Sequence, residues 1–502
     1  MSKNANRHNF PLVSTFISFH ARRRPDNVAV IRNGTEITYA TLDRDLRAMT
    51  VALARFGLAR QSVAAISHAD LYIHLLIMLG FENLGVATGS YSANENANCH
   101  ALLATADLVL TDRQVPPPAY RRRVTITEDW VQAALATPAP GRQVYLPGAP
   151  EDIVFILRSS GTTGQSKRMV MTRACAVARL RRKRLKDLEV CLDSRSRFLA
   201  TMHFSVWTIV ATVQRCLCLG GTFMFATDRF AAEVLAEYRP THFMIMPFQL
   251  RLMLADLPPG GPLLPALTVQ SMGAKLPADL RRLCLQKLAG RVVEAYGANE
   301  VGAIGNVDEA GILTVVPGLE VEVAGPLGEA LPIGEIGAVR FRGDTIVSGY
   351  VDNEAATAEM FRDGWFYPGD LGAMVSPGHL RLIGRRADIL NLDGRKIACT
   401  EVESRLLDLP AIRDVAVFQQ NDSAGQSPIL VCAVVEPNTD LRALGTSLRP
   451  ILGFPFALYA VASIPRTPEG KIKREELRQA LQHHLSAGRA MPPATAKEAI
   501  TA

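Results

Sequence analysis

At 502 residues the chain exceeds what one hydrophobic core usually organises, so at least two domains are expected. Its composition, 48% hydrophobic and 21% charged, excludes disorder on a large scale. A net charge of +7 on this length suits anionic small molecules, and no basic region is interleaved with stacking aromatics, so nothing argues for nucleic acid.

Taken from the start, the apolar stretch Phe10 to Phe19 precedes Arg22, Arg23 and Arg24, the reverse of the order a signal peptide needs. Leu12, Phe16 and Phe19 fit one helix face and read as core packing. No apolar run reaches the ~18 residues of a membrane span. The eight cysteines show no CxxC spacing and no disulfide framework, and Cys216 and Cys218 sit in an apolar run as buried thiols. A reducing, cytoplasmic compartment is the expectation.

Up to about residue 380, strand-like runs ("NVAVI", "SVAAIS", "ADLVLT", "DIVFIL", "GTFMFA", "THFMIM") alternate with stretches of helical spacing such as Tyr39 to Phe56. This predicts α/β layers with buried sheets. "EIGAVRFRGDTIV" (Glu335 to Val347) predicts a short strand and turn. After Gly384 the character changes to a charged turn and a shorter βαβ-like piece, which places a boundary at residues 384 to 388. From Ser486 the chain is rich in Ala and Pro with few apolar residues, and a disordered tail over 486–502 is expected.

The segment "FILRSSGTTGQSKRMVMT" (Phe155 to Thr172) runs a strand into Ser159, Ser160, Gly161, Thr162, Thr163 and Gly164, followed by Lys167. Glycines and small hydroxyl residues let backbone N–H and side-chain O–H groups surround phosphate oxygens, and Lys167 can add charge there. The kinase and GTPase P-loop pattern is not met, because Ser166, Lys167 and Arg168 stand where Gly-Lys-Ser/Thr would be. A Ser/Gly surface loop has the same composition, so the segment alone leaves both readings open.

The loop resembles the phosphate-binding signature of the adenylate-forming superfamily, which includes acyl- and aryl-CoA synthetases, nonribosomal adenylation domains and firefly luciferase. It departs from the usual form at Ser166 (for Pro) and Arg168 (for Gly). Further segments follow in family order. "EAYGANEVGAIG" is similar to the Tyr-Gly-x-Thr-Glu motif, with Ala295, Tyr296, Gly297, Asn299 (for Thr) and Glu300. The resemblance implies that Tyr296 stacks on adenine and Glu300 holds Mg²⁺. "SMGAKLP" supplies Met272, Gly273 and Ala274 to the wall between nucleotide and acyl pockets. "DGWFYPGDLG" places Asp370 to accept from ribose hydroxyls, with Pro368 for Thr. In "LIGRRADILNLDGRKIACTEVES", Arg385 fits the ribose- and phosphate-contacting arginine, Ala387 the pivot and Gly394 the thiol tunnel. "IPRTPEGKIKREEL" supplies Lys471 as the matching lysine.

The implied architecture is an α/β N-terminal domain of layered β-sheets and helices over 1–383, a hinge at 384–388, and a small mobile α+β C-terminal domain over 389–485. The implied chemistry is carboxylate adenylation by ATP with Mg²⁺, catalysed by Lys471 with Glu300. Acyl transfer follows, to a pantetheine thiol of CoA or of a carrier protein, with CoA favoured. In "MHFSVWTIVATVQRC", His203 stands where amino-acid-activating relatives carry an Asp, so a non-amino acid, medium-chain or aryl, is expected. His203 would gate a pocket lined by Trp207, Val210, Met272 and Gly273. The run "RLRRKRLK" (Arg179 to Lys186) reads either as a CoA phosphate contact or as a solvated helix face. A monomer or homodimer is expected. The rival readings are a stand-alone ligase that loads a carrier protein and a catalytically impaired nucleotide-binding relative.

Overall fold

The structure is a computed structural model that describes residues 12–92, 99–113, 121–146, 148–158, 167–182, 192–225, 232–257, 260–261, 263–392, 395–419, 429–466 and 471–486. Among these residues the chain forms sheets of fifteen, six, three and two strands.

All six apolar runs become strands, and the sheets explain why. The six-stranded sheet has the spatial order Arg123–Thr125, Leu108–Thr111, Val63–Ser67, Ala87–Ser90, Ile153–Arg158, Arg168–Thr172. Every neighbour pair is parallel except the last. In the large sheet, Val28–Arg32, Thr222–Phe225, Arg197–Ala200, His242–Ile245, Leu264–Met272 and Ala289–Ala298 run side by side in parallel. Strands covered on both faces have no polar side to alternate with, so Leu108–Thr111 and Thr222–Phe225 are buried at every position. From Gly302–Val307 onward the large sheet continues antiparallel.

The helix Leu71–Asn83 is apolar all round and buried from Tyr72 through Phe81. Its start is fixed by Asp70, whose carboxylate accepts from the Tyr72 and Ile73 amides at 2.9 and 3.3 Å. The N-terminal helix Val13–Arg23 departs from expectation. Its inward face is Val13, Ser14, Ile17 and Ser18, while Phe19 is 46% exposed beneath the Arg23 guanidinium. Two hydrogen bonds rotate the helix: Ser14 donates to Asn83 at 2.7 Å, and Ser18 donates to Asp43. Cys216 is buried and Cys218 partly so.

The strand His379–Arg385 belongs to the large sheet. A 3₁₀ turn, Arg386–Asp388, leads out of it into the ribbon Ile389–Leu392 and Arg395–Ala398. Beyond lies a separate layer: the sheet Ile412–Gln419, Ile429–Val435, Phe456–Ala460, covered by the helices Cys399–Leu407, Leu441–Leu452 and Arg474–Ser486. It has its own apolar core around Leu390, Leu406, Val417, Val431 and Leu448. Buried Glu403 inside it accepts from the Val417 amide at 2.8 Å and from Arg474 at 2.5 Å, and Arg474 also faces Asp388 at 3.4 Å. A buried charge pair needs this degree of satisfaction to be tolerated. The expected tail lies outside the described residues from 487 on.

Candidate active site

A cleft of about 1590 Å³ lies where the parallel strands of the large sheet end. Such strand ends are where open α/β sheets place ligands. One wall comes from the residues that follow Leu264–Met272 and from the end of Ala289–Ala298. The opposite wall comes from the C-terminal layer, including Ala398, Arg413, Lys471 and Arg474. Gly273 turns the first strand out of the sheet with φ of 90°, a conformation that favours glycine. Gly297 allows close backbone approach, since a Cβ there would meet the Gly302 carbonyl oxygen at 2.6 Å.

The cleft collects most of the residues expected from sequence. Lys167, Gly273, Ala274, Ala295, Tyr296, Gly297, Asn299, Glu300, Asp370, Arg385 and Lys471 all border it, as do Trp207 and Met272. Ser159, Ser160, Gly161, Thr162, Thr163, Gly164 and Gly394 lie outside the described residues, as does the side chain of Ala387. The two strands that flank this segment are described. Ile153–Arg158 and Arg168–Thr172 pair antiparallel with Arg158 opposite Arg168, so residues 159–167 form the connection.

Arg168, at a family glycine position, is accounted for here. Its guanidinium pairs with Asp352 at 2.6 Å and donates to Thr105 at 2.7 Å, and its carbonyl accepts from the Val351 amide at 2.8 Å. Asn299, which also borders the cleft, donates its side-chain amide to the Arg158 carbonyl at 2.7 Å. Nothing in the structure explains Pro368.

Two carboxylates in the cleft are each held by a phenol. Tyr296 donates to Oδ2 of Asp370, and Oδ1 of Asp370 lies 3.8 Å from Nε of Arg385. Tyr350 donates to Oε1 of Glu300 at 2.8 Å, and Nζ of Lys167 lies 5.1 Å from the Tyr350 ring centroid. Burial first, and the adjacent carboxylate second, push both phenols above their ordinary range, so both stay protonated donors. Glu300 and Asp370 are each 7% exposed. Glu294, lower on the same wall, has a carboxyl raised to about 7 by burial, against the opposing pull of Arg281 at 3.6 Å.

The backbone around Glu300 is fixed by Arg179. This buried side chain donates to the Asn299, Glu300 and Thr345 carbonyls at 3.1, 2.8 and 2.9 Å. Arg179 is therefore neither a solvated face nor an outer phosphate contact; Lys183 to Lys186 of the same run lie outside the described residues. Sequence reasoning missed both Arg179 and Tyr350. An arginine bonded to three carbonyls looks like any other member of a basic run. The aromatic of "SGYVDN", next to a glycine, was the only available signal for Tyr350.

Two residues expected in the acyl pocket, His203 and Val210, do not border this cleft. The His203 ring meets His74 edge-on at 5.2 Å, and its Nδ1 accepts from the Ser205 amide at 3.1 Å. His74 is fully buried and held neutral by burial, then by His203. Val210 is buried and faces a small separate cavity with Met78, Phe155 and Phe204. On another face of the helix Trp207–Leu219, the residues Trp207, Thr208, Ala211, Thr212 and Arg215 border the large cleft. No group of three or more potential metal ligands occurs among the described residues, and no described helix is long and apolar enough to cross a membrane.

The family model described as AMP-binding enzyme matches residues 17–351. The 3-hydroxybenzoate–CoA ligase of Aromatoleum sp. is 24% identical, over 91% of this chain and 94% of its own length. The 2-succinylbenzoate–CoA ligase of Bacillus licheniformis is 26% identical, over 91% and 98%. Among solved structures, an anthranilate CoA ligase in complex with anthranoyl-AMP superposes with a TM-score of 0.81 at 19% identity, over 97% of this chain and 100% of that one. With two thirds of its length matched by the family model and the α/β architecture shared with these structures, the chain belongs to the AMP-binding enzyme family.

Proposed function

We propose that this protein activates a non-amino carboxylic acid with ATP, forming acyl-AMP and pyrophosphate, and then passes the acyl group to a pantetheine thiol, that of CoA first of all. One observation carries the reading: Lys471, from the C-terminal layer, borders the same cleft as Tyr296, Glu300, Asp370 and Arg385. Full-length relatives named as CoA ligases support the thiol step.

The first step brings an acid carboxylate to the α-phosphorus of ATP. Both are anionic, so the site must supply positive charge and fixed geometry. Lys167, next to the phosphate-loop segment, serves the leaving pyrophosphate. Lys471 bridges the attacking carboxylate and the α-phosphate. Asp370 accepts from the ribose, Arg385 contacts ribose and phosphate, and the Tyr296 ring offers a flat face to adenine.

Mg²⁺ suits the donors present. It is usually held by one or two carboxylates together with substrate phosphates, and Glu300 offers one buried carboxylate whose other oxygen is already held by Tyr350. Bound there, the ion would offset phosphate charge. No protein nucleophile is needed, because the acyl-adenylate is itself an activated donor.

The second step follows once Lys471 withdraws, with the 3₁₀ turn Arg386–Asp388 as the pivot between the large sheet and the C-terminal layer. Pyrophosphate exchange over an acid panel, followed by thioester formation with free CoA and with a holo-carrier protein, tests the proposal. Exchange confined to α-amino acids, or ADP as product, would overturn it.

A further inference from the structure

Lys471 stands next to a point where the chain folds back on itself. Arg466 and Ile472 form an antiparallel bridge, and the Lys473 amide donates to the Pro465 carbonyl at 2.9 Å. Arg466 and Lys471 therefore stand on the two arms of one closed segment, and a shift of one arm is carried to the other. The Arg466 guanidinium is tied to its own layer by Asp414, at 2.6 Å, from the strand Ile412–Gln419. The same guanidinium lies 5.0 Å from the ring centroid of Phe248. Phe248 belongs to the other side of the cleft. It is the second residue of the helix Pro247–Asp256, which follows the strand His242–Ile245 of the large sheet.

Phe248 is 39% exposed, so its own layer covers the ring only in part. A guanidinium near an aromatic face is attracted by the ring quadrupole, and Asp414 holds this guanidinium in place. The contact thus joins the layer of the large sheet to the segment that carries Lys471. A rotation that withdraws Lys471 moves Arg466 with it, because the two share the bridged segment, and so breaks the contact. We infer that Phe248 and Arg466 are positioning residues: their cation–π contact holds Lys471 in the cleft for adenylation and is released before the thiol step. The inference rests on the adenylation reading and adds to it the pair that sets the pose of Lys471.

The test measures ATP–pyrophosphate exchange beside thioester formation from a supplied acyl-adenylate, for Phe248→Leu, Arg466→Met and the double variant. Each single variant should lower kcat for exchange by about five-fold, with KM for ATP and for the acid little changed. Thioester formation should hold at the wild-type rate or rise, since the contact belongs to the other pose. The double variant should be no slower than the slower single, because both substitutions remove one contact. Phe248→Tyr, which keeps a ring beside the guanidinium, should retain wild-type exchange. Exchange at the wild-type rate in Phe248→Leu overturns the inference and leaves adenylation standing. So do additive losses in the double variant, equal loss of both half-reactions, a Phe248→Tyr protein as slow as Phe248→Leu, or a raised KM for the acid at unchanged kcat. Wild-type exchange with no acid at all removes the adenylation reading, and this inference with it. Phe248→Leu exchanges one half-exposed apolar side chain for another, so an Arg466→Met protein that fails to fold does not shield the claim.

Discussion

The phenol of Tyr350 donates to Glu300 at 2.8 Å while its ring lies 5.1 Å from the Lys167 ammonium. One side chain therefore sets two charges of opposite sign that face the same cleft. The hydroxyl orients a carboxylate suited to a divalent ion, and the π-face attracts the cation beside the phosphate loop.

Removing only the hydroxyl separates these two duties. Tyr350→Phe leaves the ring under Lys167 and strips a donor from a buried carboxylate, a cost of about 1–3 kcal/mol. Exchange should slow by about ten-fold and the Mg²⁺ concentration for half-maximal rate should rise, with KM for the acid little changed. Exchange rates measured over a Mg²⁺ series check this; an unaltered Mg²⁺ dependence would count against the orienting role.

Arg179 should matter to stability rather than to any phosphate. Arg179→Met leaves the Asn299, Glu300 and Thr345 carbonyls short of a donor, and the expected loss is about 2–4 kcal/mol. Thermal unfolding should shift down by several degrees. An unchanged unfolding temperature with weakened CoA binding would instead return Arg179 to the role of an outer phosphate contact.

Glu294 gives the fold a pH dependence of definite sign. Its carboxyl is raised from 4.5 to about 7 by burial, so between those values the folded state holds a proton that the unfolded chain has released. Stability should therefore fall as pH rises from about 4.5 to about 7 and level off above. The contribution is on the order of 3 kcal/mol. Glu294→Gln, neutral throughout, should flatten that part of the profile. Urea midpoints between pH 4 and 8 for both proteins decide it, and parallel profiles would contradict the assignment.

Much of this was legible in the chain because the physics was local. The six apolar runs are strands covered on both faces, so burial erased alternation and left continuous apolar segments. The cleft residues Tyr296, Glu300 and Asp370 were legible through the resemblance of their segments to the motifs of the adenylate-forming superfamily. What was not legible depended on contacts distant in sequence. Phe19 reads as core until Ser14 meets Asn83 and Ser18 meets Asp43, which turns the helix. The edge-on packing of His203 against His74, 129 positions away, could not be read from the segment that holds His203.

The central claim is that Lys471 acts in adenylation and not in thioester formation. The most direct measurement compares Lys471→Ala with wild type in the two half-reactions, using pyrophosphate exchange for the first and thioester formation from a supplied acyl-adenylate for the second. The account predicts exchange reduced by at least a hundred-fold and thioester formation within a few-fold of wild type. Equal loss of both, or exchange left intact, would contradict it.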